Sequence, residues 1–274
     1  MPDLSAIAPF GFSFDPARFL AAYRALGATT CQFYRNEQRP PTPEAALKAA
    51  DTAGLRFDSI HGVFGFHIDP SSADERHRKR CIEIYEGEGR LAAELGGPMV
   101  VVHPSAWNPG MRMMSAQEVA AASEPRWPRL RDFMMRMAEI GERLGVVYLI
   151  ENQPANCPLG HDTVRLAEAV LGVNSPFVRM CLDTGHAHMT GDLIETTRKA
   201  MPAIAYFHVH DNDSKVDDHR MPFDGNIDWA AFGALLKASG TNAPRMLEVF
   251  YDEARVEELG RNGLGKRLAA ACAV

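Results

Sequence analysis

The chain has 274 residues, a net charge of −6, 46% apolar residues and 23% charged residues. That length is close to the ~250 residues of one (β/α)8 barrel. The acidic balance argues against a broad phosphate-binding surface, which needs clustered Lys and Arg.

Met1-Pro2-Asp3-Leu4 lacks the basic and long apolar regions of a leader. No apolar run approaches the ~18 residues of a membrane span. A cytoplasmic protein without membrane association is therefore expected. Cys31, Cys81, Cys157, Cys181 and Cys272 are scattered, with no CxxC pair. This spacing predicts buried reduced thiols, not a disulfide framework or a thiolate zinc site.

In chain order, strands are expected at Ala6–Phe12, Thr29–Tyr34, Arg56–His61, Met99–His103, Val146–Glu151, Val178–Asp183, Ile204–His210 and Met246–Phe250. Helical periodicity fills most of the gaps: Phe19, Tyr23 and Leu26; Ala45, Ala46, Ala49 and Ala50; Leu130, Phe133, Met134, Met137 and Ile140. Thr42-Pro43-Glu44 and Ser115-Ala116-Gln117-Glu118 read as helix starts. Gly27, Gly54, Gly96-Gly97, Gly145 and Gly240 read as stops. Eight strand–helix units without a composition break predict an α/β chain forming a single (β/α)8 TIM barrel over residues 1–274. The segment around 104–128 is long for a βα loop. It reads equally as an active-site cover or as a surface excursion with a short helix.

The strand ends carry the chemistry. Apolar runs close on His61, His103, Glu151 and Asp183, with His186 three residues after Asp183, while two others lead into His208 and Glu248. In a parallel barrel these ends meet at one mouth. Carboxylates and imidazoles gathered there suit Zn, Mn, Fe or Co, and several carboxylates without a cation would repel. Any one of these residues alone reads as a hydrogen-bonding strand end. Asp183 also reads as an N-cap for the helix that follows. Alternation along the seventh strand points His208 and His210 to one side. Downstream, Asp217 and His219 are candidates for a further cation, or part of a solvated charged loop. Phe64, Phe66, Trp107 and Phe250 are candidates for an apolar wall, or for core packing.

Val101-Val102-His103-Pro104, Ile150-Glu151-Asn152, Cys181-Leu182-Asp183-Thr184-Gly185-His186, His208-Val209-His210-Asp211-Asn212 and Leu247-Glu248 together resemble the xylose-isomerase-like barrel superfamily. That group contains sugar isomerases and epimerases and the type IV apurinic-site endonucleases. For the isomerases the resemblance implies one divalent ion, often Mn, on Glu151, Asp183, His208 and Glu248. For the endonucleases it implies three zinc ions, which add His61, His103, His186, Asp217 and His219. The expected cofactor is thus one to three divalent ions, Mn or Zn. Relatives of this kind are often dimers or tetramers, so a homo-oligomer is possible.

Two chemistries follow. In the first, Glu151 and Glu248 flank a small sugar; one removes the proton beside its carbonyl and the other returns it, through an enediolate held by the metal. His186 or Arg220 holds a substrate oxygen. A lyase or dehydratase begins with the same proton abstraction. In the second, a zinc cluster hydrolyses a phosphoester, including DNA. A DNA enzyme needs a basic stripe and wedges. The candidates are Phe33–Arg39, which carries an acid, and Arg76-His77-Arg78-Lys79-Arg80, which also reads as a solvated helix face. The sugar reading is therefore preferred, with a small-molecule partner and no nucleic acid. A binding subunit with degenerate catalysis is disfavoured, because both glutamates are present.

Overall fold

A computed structural model describes residues 2–106 and 114–274. Eight parallel strands close a barrel in sequential order: β1 Leu4–Phe10, β2 Thr30–Arg35, β3 Arg56–His61, β4 Met99–Val102, β5 Val147–Glu151, β6 Val178–Asp183, β7 Ile204–Val209 and β8 Arg245–Leu247. β8 pairs back onto β1 through Leu4 and Arg245. The (β/α)8 expectation is met.

The helices lie between the strands in sequence. They are α1 Pro16–Ala25, α2 Pro43–Thr52, α3 Glu75–Leu95, α4 Ala116–Ser123, α5 Trp127–Leu144, α6 Thr163–Leu171, α7 Thr184–Thr190, α8 Leu193–Ala200, α9 Trp229–Ser239, α10 Glu253–Arg261 and α11 Leu264–Cys272. Capping chemistry sets many of their starts. Asp15, Thr42, Asp74, Asp162, Asp183, Asp192, Asp228 and Asp252 each accept a first-turn amide. Ser115 and Glu118 form a reciprocal capping box on α4.

The boundary differences have local causes. The first strand begins at Leu4, earlier than expected, because its edge pairs with both β2 and β8. It stops at Phe10 because Gly11 turns the chain at φ 77°. β4, β7 and β8 end before His103, His210 and Glu248, so these three are the first residues beyond the ladder. Part of the long segment at 104–128 is helix α4, and residues 107–113, including Trp107, lie outside the described residues. The five cysteines are buried and not disulfide-bonded. Among the described residues no helix is long and apolar enough to cross a membrane.

The strands are buried on both faces, so they read as apolar runs. Below the mouth the interior also holds polar groups. Asp58 is tied to the hydroxyls of Thr30 (2.6 Å), Ser59 (2.7 Å) and Tyr206 (2.8 Å). The Tyr206 ring lies 6.0 Å from that of His208, so this network forms a floor under the mouth. Burial raises the Asp58 pKa, and the hydroxyls only partly oppose it. A raised folded-state carboxyl pKa gives stability that is present below the unfolded value and lost as pH rises through the folded one. Asp58→Asn removes that loss. Its melting temperature is therefore expected to gain on wild type as pH goes from 4.5 to 8, and a pH-independent difference would contradict this.

Candidate metal centre

Six of the functional side chains sit where a strand stops. His61, Glu151 and Asp183 end β3, β5 and β6; His208 is the penultimate residue of β7; His103 and Glu248 directly follow β4 and β8. The parallel register brings these ends level: Asp183 stands opposite His208, and Glu151 opposite Cys181. Asp217 and His219 come from the loop between β7 and α9. His219 adopts φ 44°, a left-handed conformation uncommon for a side-chain-bearing residue. The loop is gathered on the buried carboxylate of Asp211. This accepts from the amides of Asn212, Phe223 and Ile227 and from the Trp229 indole at 2.7–3.1 Å.

All nine residues read as ligands in the sequence come together. They form overlapping groups with mutual ligand-atom distances under 4.8 Å: His61, His103 and Glu151; Glu151, Asp183, His208 and Glu248; His61, His208 and Glu248; and an outer group of His186, Asp217 and His219 that also includes His210. Glu151 is shared between the first two. His208 Nδ1 lies 3.1 Å from Glu151 and 2.9 Å from Glu248. His103 Nε2 is 3.1 Å from Glu151. Asp183 both caps α7, through the His186 amide at 2.7 Å, and joins the central group, so its two readings hold together.

The tautomers indicate what this arrangement needs. Nδ1 of His61, His186 and His219 lies 2.9, 2.8 and 2.9 Å from the carbonyl oxygens of Gly62, Asn152 and Glu248. A carbonyl only accepts, so each Nδ1 carries a proton, and each ring in its neutral form turns an Nε2 lone pair inward. Those lone pairs face carboxylates: His186 to Asp217 at 3.1 Å, His219 to Asp217 at 3.5 Å, and His61 to Glu151 at 3.8 Å. Lone pair against anion is stable only with a positive charge between them. This backbone-anchored pattern is typical of metal-ligating histidines. Glu151 Oε2, Asp217 Oδ1 and Glu248 Oε2 are buried and accept no well-directed hydrogen bond among the described residues, although imidazole nitrogens stand 3.1, 3.5 and 2.9 Å from them. The donor set and these orphaned oxygens fit divalent cations.

The electrostatics agree. Burial alone would raise Glu151, but the imidazoles of His208 and His103 hold it well below the usual carboxylate range. Glu248 is likewise lowered against burial, by His208 and then His219. Burial would lower His186, yet Asp183 and Asp217 hold it well above its ordinary value. Against the same burial, Asp217 carries His219 up to about 9. His61, dominated by burial and the neighbouring His103, falls to about 4. The site calls for positive charge, supplied by protons on imidazoles or by cations in their place.

Above these groups opens a cavity of about 180 Å³. It is lined by Tyr34, Phe64 and Phe250, by Gln153, and by the histidines and carboxylates. Tyr34 packs against Phe250 at 5.6 Å and edge-on to His61 at 5.4 Å. Phe66 is 75% exposed and is not part of this lining. His186 lines the cavity, but Arg220 does not: it pairs with Asp213 and with Asp218 at 2.6 Å. Tyr34 and Gln153 carried no such signal in the sequence. His210 did, through its alternation with His208, but it was given no role there.

Three of the basic candidates are engaged elsewhere. Arg35 forms a mostly buried pair with Glu88 at 2.6 Å, Lys79 pairs with Glu75 at 2.8 Å, and Arg78 donates to Ser72 O at 2.8 Å.

A family model described as xylose isomerase-like TIM barrel matches residues 20–268. An uncharacterised Sinorhizobium fredii protein, y4fM, is 28% identical over 73% of this chain and 68% of its own length. A probable endonuclease 4 of Thermoplasma acidophilum is 26% identical over 85% of this chain and 84% of its own. Among solved structures, an L-ribulose 3-epimerase superposes with a TM-score of 0.79 at 22% identity, covering 100% of this chain and 96% of that one.

Proposed function

The chain belongs to the xylose isomerase-like TIM barrel family, and from that premise we propose that it is a divalent-cation-dependent isomerase or epimerase of a small sugar or sugar derivative. The observation that carries the reading is the pair of buried carboxylates, Glu151 and Glu248. They reach one imidazole nitrogen from different strands, at 3.1 and 2.9 Å, beneath a small aromatic-walled cavity. The cavity is smaller than the ~300–1,000 Å³ of drug-sized sites, which favours a compact substrate. The epimerase likeness supports the same class.

Glu151, Asp183, His208 and Glu248 would hold the cation. Bound there, it would supply Lewis acidity that makes the hydrogen beside a substrate carbonyl easier to remove. Glu151 and Glu248 would take and return that proton on opposite faces of the carbon. The lowered pKa values, set by the neighbouring imidazoles, keep both ionised in the resting site. His186 would hold a substrate hydroxyl or a further cation. Tyr34, Phe64 and Phe250 would cover the apolar face of the ring and exclude water.

The test is solvent exchange. In D2O with Mn and a panel of free ketoses and aldoses, deuterium is expected at the carbon beside the carbonyl of at least one sugar. No exchange across the panel would count against the reading. Arg220→Ala is expected to change KM by less than about twofold, since exposed ion pairs contribute little. A large KM effect would return Arg220 to the substrate site.

One observation favours a second reading. The groups around His61 and His103 and around His186, Asp217 and His219 provide more cation positions than proton transfer requires. With the endonuclease 4 relative, they support phosphoester hydrolysis on a polynuclear centre. Cleavage of an apurinic-site duplex without sugar exchange would select it. A lyase or dehydratase would show exchange followed by loss of water.

A further inference from the structure

We propose that His210 is a positioning residue that fixes the Asp183 carboxylate, and through it the central cation group. The proposal rests on the cation-binding reading of the site and not on which reaction the site performs.

His210 sits among potential ligands, yet its hydrogen bonding is opposite to theirs. His61, His186 and His219 each give an Nδ1 proton to a backbone carbonyl and turn a lone pair inward. Nδ1 of His210 is buried and has no partner among the described residues. Its Nε2 lies 3.0 Å from both oxygens of Asp183. An ionised carboxylate only accepts, so the His210 proton resides on Nε2 and is shared across the carboxylate. Nε2 also stands 3.7 Å from Asp217 Oδ1, at the edge of the outer group. The proton occupies the position through which a cation would be bound.

The segment from Asp183 to His186 is built around this ring. The Thr184 hydroxyl donates to His210 O at 2.8 Å and accepts from His210 N at 3.1 Å, clamping the backbone. Gly185 leaves room for the imidazole, since a Cβ there would stand 2.0 Å from His210 Cε1. The His219 ring stacks on that of His210, at 4.1 Å between centroids and 15° between planes. Asp183 Oδ1 also takes the His186 amide. The carboxylate is thereby held on two sides, in a defined plane, before any cation arrives.

Mn titrated calorimetrically into metal-stripped protein tests this. His210→Ala is expected to weaken binding at the central group by about 10–100-fold. His210→Gln, which restores an N–H at a similar reach, is expected to recover most of the loss. His210→Phe keeps the stack on His219 without the donor and carries the same expectation as Ala should Ala not fold. Asp183→Ala and His219→Ala give the reference patterns for central and outer loss. Wild-type affinity in the Ala or Phe variant would overturn the proposal. So would a pattern matching His219→Ala, which would make His210 an outer ligand, or a Gln variant as weak as Ala, which would reduce the role to packing. Wild-type protein that takes up no cation would remove both this proposal and the functional reading. Wild-type uptake with an indifferent His210→Phe would remove this proposal alone.

Discussion

Glu248→Gln is expected to lower solvent exchange into the sugar substrate by about 10²–10⁴-fold, the range of a lost general base. Gln keeps the volume and one oxygen but gives up the charge of a cation ligand, so exchange is compared at saturating Mn, with the fold checked by circular dichroism. The residue is nearly fully buried and borders the cavity beside His208. Mass spectrometry of the recovered sugar reads the exchange directly. A variant that exchanges at the wild-type rate with its cation retained would exclude Glu248 as a proton carrier. If exchange from one epimer is lost while the other still washes out, the two glutamates serve opposite faces of the carbon.

Stripping the cations with a chelator is expected to abolish turnover and lower the melting temperature by about 10 °C. A ligand present at a thousand times its Kd stabilises the folded state by about 4 kcal/mol. For chains of about 150–250 residues each kcal/mol corresponds to roughly 2–4 °C. The physical origin is the convergence of Glu151, Asp183, His208 and Glu248 within 4.8 Å, where like charges repel unless neutralised. Re-addition of Mn or Zn should restore both properties. An unchanged melt on chelation would remove the metal centre. Elemental analysis of untreated protein distinguishes the two chemistries: one equivalent of Mn fits proton transfer, and three of zinc fit hydrolysis.

The barrel and much of its mouth were legible in the chain because a parallel strand buried on both faces must be apolar until it ends. Met99–Val102 shows this most clearly, with the polar signal arriving at His103. His61, Glu151 and Asp183 were legible for the same reason. Strand edges were less so. Ladder pairing, not composition, ends β8 at Leu247 and starts β1 at Leu4. Arg220 shows the limit from the other side: its charge and its place beside His219 were visible, but its ion pairs with Asp213 and Asp218 were not.

By itself the sequence determined which residues can lie at one end of the barrel, since alternating strands and helices leave a single parallel arrangement whose strand ends face one way. Only the tertiary structure decided how those residues divide. For His186 and His219, which ring nitrogen bears a proton depends on a carbonyl far away in the chain, that of Asn152 and that of Glu248. That choice separates His210 from the histidines beside it. Such a contact joins residues distant in the chain, and no local pattern of residue types encodes it.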